Sequence, residues 1–127
     1  MTGSQNQNNV KREYDLEERC AKFAEDIIAL CQRIKITPLN SRIITQLIGS
    51  GGSVGANYGE ACEAESKKDF VHKMGIAKKE AKESKHWLRL LAKTNPEEKT
   101  EISRLYQEAH NLLMIFASSI NTCRKSK

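Results

Sequence analysis

The stretch Gly49–Gly59, GSGGSVGANYG, decides between two kinds of protein. Read as a loop, it invites comparison with the glycine-rich turns that offer backbone N–H groups to phosphate. That reading fails on residue type, because a phosphate loop needs Lys and then Ser or Thr after its last glycine, and no Lys lies in the segment. A dinucleotide turn needs a preceding strand, whereas Ile43, Ile44, Leu47 and Ile48 repeat at helical spacing. Read as a helix, the stretch carries that period on through Val54, Tyr58, Ala61 and Cys62. Gly51, Gly55 and Gly59 then fall four residues apart and let a neighbouring backbone come close. Glycine costs up to ~1 kcal/mol per helical position relative to Ala, so five of them imply a penalty of roughly 4 to 5 kcal/mol that tight packing must offset.

Three more helices follow on either side. The first is expected from Asp15, which with Glu18 has the spacing of a reciprocal cap, and it buries Leu16, Cys20, Phe23, Ile27, Leu30, Cys31 and Ile34 before Thr37 and Pro38 stop it. Asn40 or Ser41 caps the glycine-bearing second helix. Ser66 with Asp69 starts the third, whose inward residues are Phe70, Met74, Ala77, Ala81, Leu88 and Leu91. Asn95, Pro96, Glu97 and Glu98 supply a cap, a first-position proline and acids at the positive end of a dipole. The fourth helix turns Ile102, Leu105, Tyr106, Ala109, Leu113, Phe116 and Ile120 inward. Short connections force neighbours to run in opposite directions, so the expected fold is all-α, an antiparallel up-and-down four-helix bundle over residues 14–123. A polar head, residues 1–13, reads as disordered, and residues 124–127 read as a basic tail. Ile76, Trp87, Met114 and Ile115 point away from the seam, which argues for a subunit interface.

A chain of 127 residues fits one domain. Its longest apolar run, Leu112–Ala117, is far short of the roughly 20 residues that cross a membrane. The uncharged polar start resembles no secretory or transit signal, so a cytoplasmic location is expected. Cys20, Cys31, Cys62 and Cys123 never form a CxxC pair and lie on or beside apolar faces, as buried free thiols do.

Charge is concentrated. Between Ser66 and Thr94 there are nine Lys or Arg against three acids, a balance of +6 on a chain whose total is +5. At a period of 3.6 residues, Lys67, Lys78, Lys82, Lys85, Arg89 and Lys93 cluster on one side, with Lys68, Lys79 and His86 flanking them. A row of cations on a rigid rod is the footprint of an acidic partner, most often a nucleic-acid backbone. A solvated face that serves solubility alone is the bland alternative.

Candidate chemistry is sparse. Glu83 and His86 form one Glu-x-x-His pair, but a di-iron bundle needs a second pair and two further carboxylates. His72, His86 and His110 lack zinc spacing. Glu80 and Glu83 are expected to pair with a basic neighbour such as Arg42 or Arg104 rather than to act as acid and base. Ser50, Asn57 and Glu60 line one edge of the second helix, where polar groups are satisfied at a helix or subunit contact. No enzyme, metal or cofactor is expected.

The segment QLIGSGGSVGANYGEACEAESKKDFVHKMGIAKKEAKESKHWLRLL resembles the four-helix-bundle proteins encoded in intervening sequences of bacterial 23S ribosomal RNA genes. Ser53, Asn57 and Glu60 match that family's pattern on helix two, and Phe70, Ala77, Glu80 and Glu83 match it on helix three; Gly59 stands where Ala is commoner. The resemblance implies a homo-oligomer, a ring of five, similar to the accessory protein of diversity-generating retroelements, which binds reverse transcriptase and nucleic acid. Two functions follow: an assembly that grips RNA or DNA through Lys78, Lys82, Lys85, Arg89 and Lys93, with Lys67 and Lys79 outside them, or a scaffold whose basic face docks an acidic protein such as a nucleic-acid enzyme.

Overall fold

The computed structural model describes residues 2–126, with side chains described for residues 15–126. Four α-helices make up almost all of it: α1 (Thr2–Gln32), α2 (Ser41–Cys62), α3 (Lys67–Thr94) and α4 (Lys99–Lys125), the last entered through a 3₁₀ turn at Pro96–Glu98. No strand occurs among the described residues.

The seam positions recur three or four residues apart in every helix. They are Cys20, Phe23, Ile27, Leu30 and Ile34 in and just after α1, and Ile44, Leu47, Gly51, Val54, Tyr58 and Ala61 in α2, with Cys31 and Ser50 buried beside them. In α3 they are Met74, Ala77, Ala81, Ser84, Leu88 and Leu91, and in α4 Ile102, Leu105, Ala109, Leu112, Phe116 and Ile120. This is the spacing that keeps an inward seam on one side of a helix through many turns. The rings of Tyr58 and Phe116 stack across the core at 6.0 Å between centroids.

Contacts between helices fix their directions. Asn40, at the start of α2, donates to Asn95, just past the end of α3, at 3.0 Å. Further along, the Ser50 and Ser84 hydroxyls lie 2.9 Å apart, so α2 and α3 run in opposite senses. Lys67 reaches the Ser126 carbonyl while Lys85 meets His110, which sets α4 against α3 in the same way. Along α1 and α4 the ion pairs Arg19–Glu108, Asp26–Arg104 and Arg33–Glu98 descend one helix as they climb the other.

The glycine-bearing stretch is helical throughout, and no glycine among the described residues has positive φ. Its glycines serve proximity, not turn geometry. A Cβ on Gly51 would sit 2.5 Å from Ile27 Cδ1, and one on Gly55 would sit 3.2 Å from Cys20 Cβ with the Cys20 backbone just behind. Those two positions let α1 lie close against α2. Gly59 does not take part, because it is exposed and a Cβ there meets nothing within 4 Å.

Several boundaries differ from the sequence reading. α1 starts at Thr2, and Asp15 and Glu18 lie inside it rather than capping it; it ends at Gln32, short of the Thr37 and Pro38 expected to stop it. α4 extends through Arg124 to Lys125, since cations are favourable against the negative end of a helix dipole. Ser66 caps α3 as expected, its hydroxyl accepting the Asp69 N–H at 3.0 Å. Asn40 and Asn95 do not cap their helices with side chains. Asn40 instead accepts the Thr37 N–H at 2.8 Å and donates to Lys35 and Asn95, and both amides are buried. Leu112 rather than Leu113 faces fully inward, and Tyr106 is exposed. Of the four apolar residues expected outside, Met114 is exposed, while Ile76, Ile115 and Trp87 are half-buried, Trp87 packing on the core.

The thiols divide into two classes. Burial pushes Cys20 up to about 12 and Cys31 up to about 11, whereas Cys62 is exposed and Cys123 half-buried. Cys62 closes the last turn of α2, one position past the seam residue Ala61 and turned outward.

Three predictions follow from this packing. Gly55→Leu forces α1 away from α2 and should cost ~1–3 kcal/mol or more in urea unfolding, while Gly75→Ala, whose Cβ meets nothing within 4 Å, should raise stability by up to ~1 kcal/mol. Alkylation of the native protein near neutral pH should label Cys62 first and Cys123 next, leaving Cys20 and Cys31 for the unfolded chain, as peptide mass mapping will read. The third concerns acid. Burial alone would raise Asp26, but hydrogen bonds from Arg104 and Lys22 outweigh it and hold the carboxyl below its usual range; Arg104 does the same for Glu101. A group depressed in the folded state gives stability that is present above the ordinary carboxylate range, ~4, and is lost as pH falls through the folded value. Melting temperature should therefore drop below about pH 4, and Arg104→Gln should flatten that drop.

Candidate nucleic-acid interface

Because α3 buries Met74, Ala77, Ala81, Ser84, Leu88 and Leu91, the rest of its circumference is open to solvent, and Lys67, Lys78, Lys79, Lys82, Arg89 and Lys93 are all exposed on it. The row is not uniform. Lys85 is drawn onto α4, its Nζ 3.1 Å from His110 Nδ1 and 5.1 Å from the centre of the Tyr106 ring. Lys67 donates to the Ser126 carbonyl at the end of α4. These two are anchored between helices, and the remaining five project freely.

Lys78, Lys79 and Lys82 stand on one wall of a cleft of about 410 Å³ between α3 and α4. Its floor includes Val71, Gly75 and Ala117, and its other wall carries Asn121 and Arg124. A shallower extension adds Lys68 and His72. No carboxylate lines either part. Sequence reasoning placed Arg124 in a tail and passed over Asn121 and Gly75. The period of α4, continued past Ile120, would have set Ala117, Asn121 and Arg124 on one side, three and four residues apart.

The other singled-out residues are dispersed. Ser50 is buried, its hydroxyl facing Ser84 and, at 3.3 Å, the Leu47 carbonyl; Asn57 donates to Ser53 in its own helix at 2.9 Å; Glu60 is exposed. Glu83 accepts the Trp87 indole N–H at 3.2 Å rather than a cation, and His86 is exposed with its ring edge-on to Trp87. Arg104 pairs with Asp26 and Glu101 on the α1–α4 rim, so it is spent before it could reach Glu80 or Glu83. Burial and then the neighbouring Glu83 raise the Glu80 carboxyl above its usual range, against the pull of Lys79. Among the described residues no group of three His, Cys, Asp or Glu side chains is placed to hold a metal, and no helix is long and apolar enough to cross a membrane.

A search of curated proteins gives no match. Among solved structures, a protein of unknown function from the S23 ribosomal protein family of Bacteroides thetaiotaomicron superposes with a TM-score of 0.72 at 29% identity, covering 83% of this chain and 97% of that one. The family model for the 23S rRNA-intervening sequence protein matches residues 12–118, from within α1 to the last turns of α4. The match takes in the glycine-bearing α2 and the whole of the basic α3, and the chain belongs to the 23S rRNA-intervening sequence protein family.

Proposed function

We propose that this protein is a non-enzymatic, self-associating helical bundle that grips the backbone of RNA or DNA through the outer face of α3. One observation carries the reading: Lys78, Lys79, Lys82, Arg89 and Lys93 stand exposed outside the buried seam of a helix whose inner side is the core. Their positions are fixed by packing they do not share in. Residues one helical turn apart are separated by about 5.4 Å along the axis, so the row can follow a phosphate chain without reading bases. Exposed and half-buried thiols without disulfides suit a reducing compartment, here the cytoplasm.

Self-association rests on α2. Gly49, Gly52 and Gly59 are exposed helical glycines whose Cβ positions meet nothing within the chain, so each carries a helix penalty of ~1 kcal/mol that its own fold does not offset. Ile48 on the same helix and Ile28 on α1 are 39% and 44% exposed nearby in the antiparallel register. A second copy laid against this smooth face would repay both. The half-buried Trp87 and Asn57 and the exposed Glu60 remain candidates for the same contact. Repetition of weak phosphate contacts around a ring of five would raise avidity without a new contact.

Fluorescence anisotropy with RNA and DNA at low and moderate salt tests the reading. Affinity should fall by orders of magnitude as salt rises, and Lys82→Glu, Arg89→Glu and Lys93→Glu together should weaken binding at least about tenfold without changing the melting temperature. Flat titrations, or unchanged binding by the triple variant, refute it; a protein partner that survives nuclease treatment in a pull-down then favours an acidic-protein scaffold instead. Light scattering should give five subunits, and a monomer removes the self-association.

A further inference from the structure

We propose that the strongest grip lies not along the whole α3 row but in the α3–α4 cleft, and that its occupant is the phosphodiester backbone of a duplex. This rests on the nucleic-acid reading above and narrows it to a place and a form of polymer. The row on α3 alone is a convex ridge, which meets a phosphate from one side. In the cleft, Lys78, Lys79 and Lys82 come from one helix and Arg124 from its antiparallel neighbour, so an anion seated over Gly75 is met from two sides. Gly75 makes the space: a side chain there would stand in the opening, since nothing else lies within 4 Å of its Cβ position. With no carboxylate on either wall, nothing inside the cleft neutralises the four cations. Asn121 adds a neutral amide that can donate to a phosphate oxygen or a sugar hydroxyl.

The form of the polymer follows from what the cleft lacks. Proteins that hold single strands stack bases on aromatic rings. No Phe, Tyr or Trp lines either part of the cleft, and the exposed Tyr106 ring of α4 lies under Lys85. Cations without stacking platforms favour a backbone whose bases are already paired. Contacts to phosphate alone also predict comparable binding of RNA and DNA duplexes.

The test uses the full chain and short RNA and DNA duplexes, with a single-stranded uridine polymer as the third probe. Gly75→Leu should fill the cleft with charge unchanged and weaken duplex binding about tenfold; Gly75→Ala controls for folding at that position. Arg124→Gln should reduce the slope of log affinity against log salt by about one unit, the mark of one lost phosphate contact. Lys99→Gln, an exposed cation at the start of α4, is the control for net charge. If Gly75→Leu and Arg124→Gln bind like the wild type while the triple α3 variant is weakened, the cleft is overturned and the α3 reading stands. Tighter binding of the single strand than of either duplex also overturns the cleft. A wild-type protein that binds none of the three overturns both.

Discussion

The alternation of three and four residues between buried positions is the constraint on which the rest of this molecule depends. A helix with a seam of that spacing has one rotation about its axis in which every seam position is inside, and α3 has such a seam from Met74 to Leu91. Turning α3 by one position would bring Lys78 or Lys82 into a core where an unpaired ammonium is prohibitively costly. Sliding it would break two buried polar pairs, Ser50 with Ser84 and Asn40 with Asn95, each of which leaves unsatisfied groups when parted. Rotation is set by the apolar seam and register by the polar pairs, so the outward cations inherit a fixed spacing from residues they never touch.

The first helix is held differently. The α2–α3 and α3–α4 contacts are the most extensive and bring small residues such as Ser50, Ala77, Ala81 and Ser84 into the seam beside the large ones, while α1 meets α2 at Gly51 and Gly55 and is tied to α4 by a rim of ion pairs. Partly exposed pairs of this kind are worth ~0–1 kcal/mol each at neutral pH. Burial of Phe23, Ile27 and Leu30 dominates, at ~1.5–3 kcal/mol per large side chain, and Gly51 facing Ile27 and Gly55 facing Cys20 give α1 room on that side. Glycine in α2 thus has two roles at different faces: close approach at Gly51 and Gly55, and an open, smooth surface at Gly49, Gly52 and Gly59.

Much of this was legible in the sequence, and the misses have a common cause. Helix number, order and nearly every large core residue follow from apolar periodicity, because the period is strong in all four helices. Ser84 was passed over as a seam position because it is not apolar, although the gap from Ala81 to Leu88 marks it. Leu113 was preferred to Leu112 for the same want of a strict spacing rule; counting three from Ala109 and four to Phe116 selects Leu112. Asn40 and Asn95 were assigned to caps, the local role of their type, when a partner far along the chain offered a better hydrogen bond. On the charged face, periodicity found the row on α3, but a single helix cannot disclose what its neighbour adds. Lys85 turning onto Tyr106 and His110, and Arg124 arriving beside Lys78, are consequences of the α3–α4 register.

That register also explains how so many cations can sit together in a stable fold. The α4 carboxyl end, with its negative dipole, lies beside the amino-terminal half of α3, and Arg124, Lys125 and Lys67 all gather at its last carbonyls. The dipole offsets part of the repulsion, and water and salt screen the rest, since at physiological ionic strength the Debye length is ~8 Å and the lysines are exposed. What remains is a modest positive potential that the folded chain tolerates but does not neutralise from its own acids, because Asp26, Glu98, Glu101 and Glu108 are committed to the α1–α4 rim on other cations. Placing these four acids on the α1–α4 rim, away from a cleft whose lining carries no carboxylate, costs the monomer little and leaves the cations of the two cleft walls with no carboxylate between them.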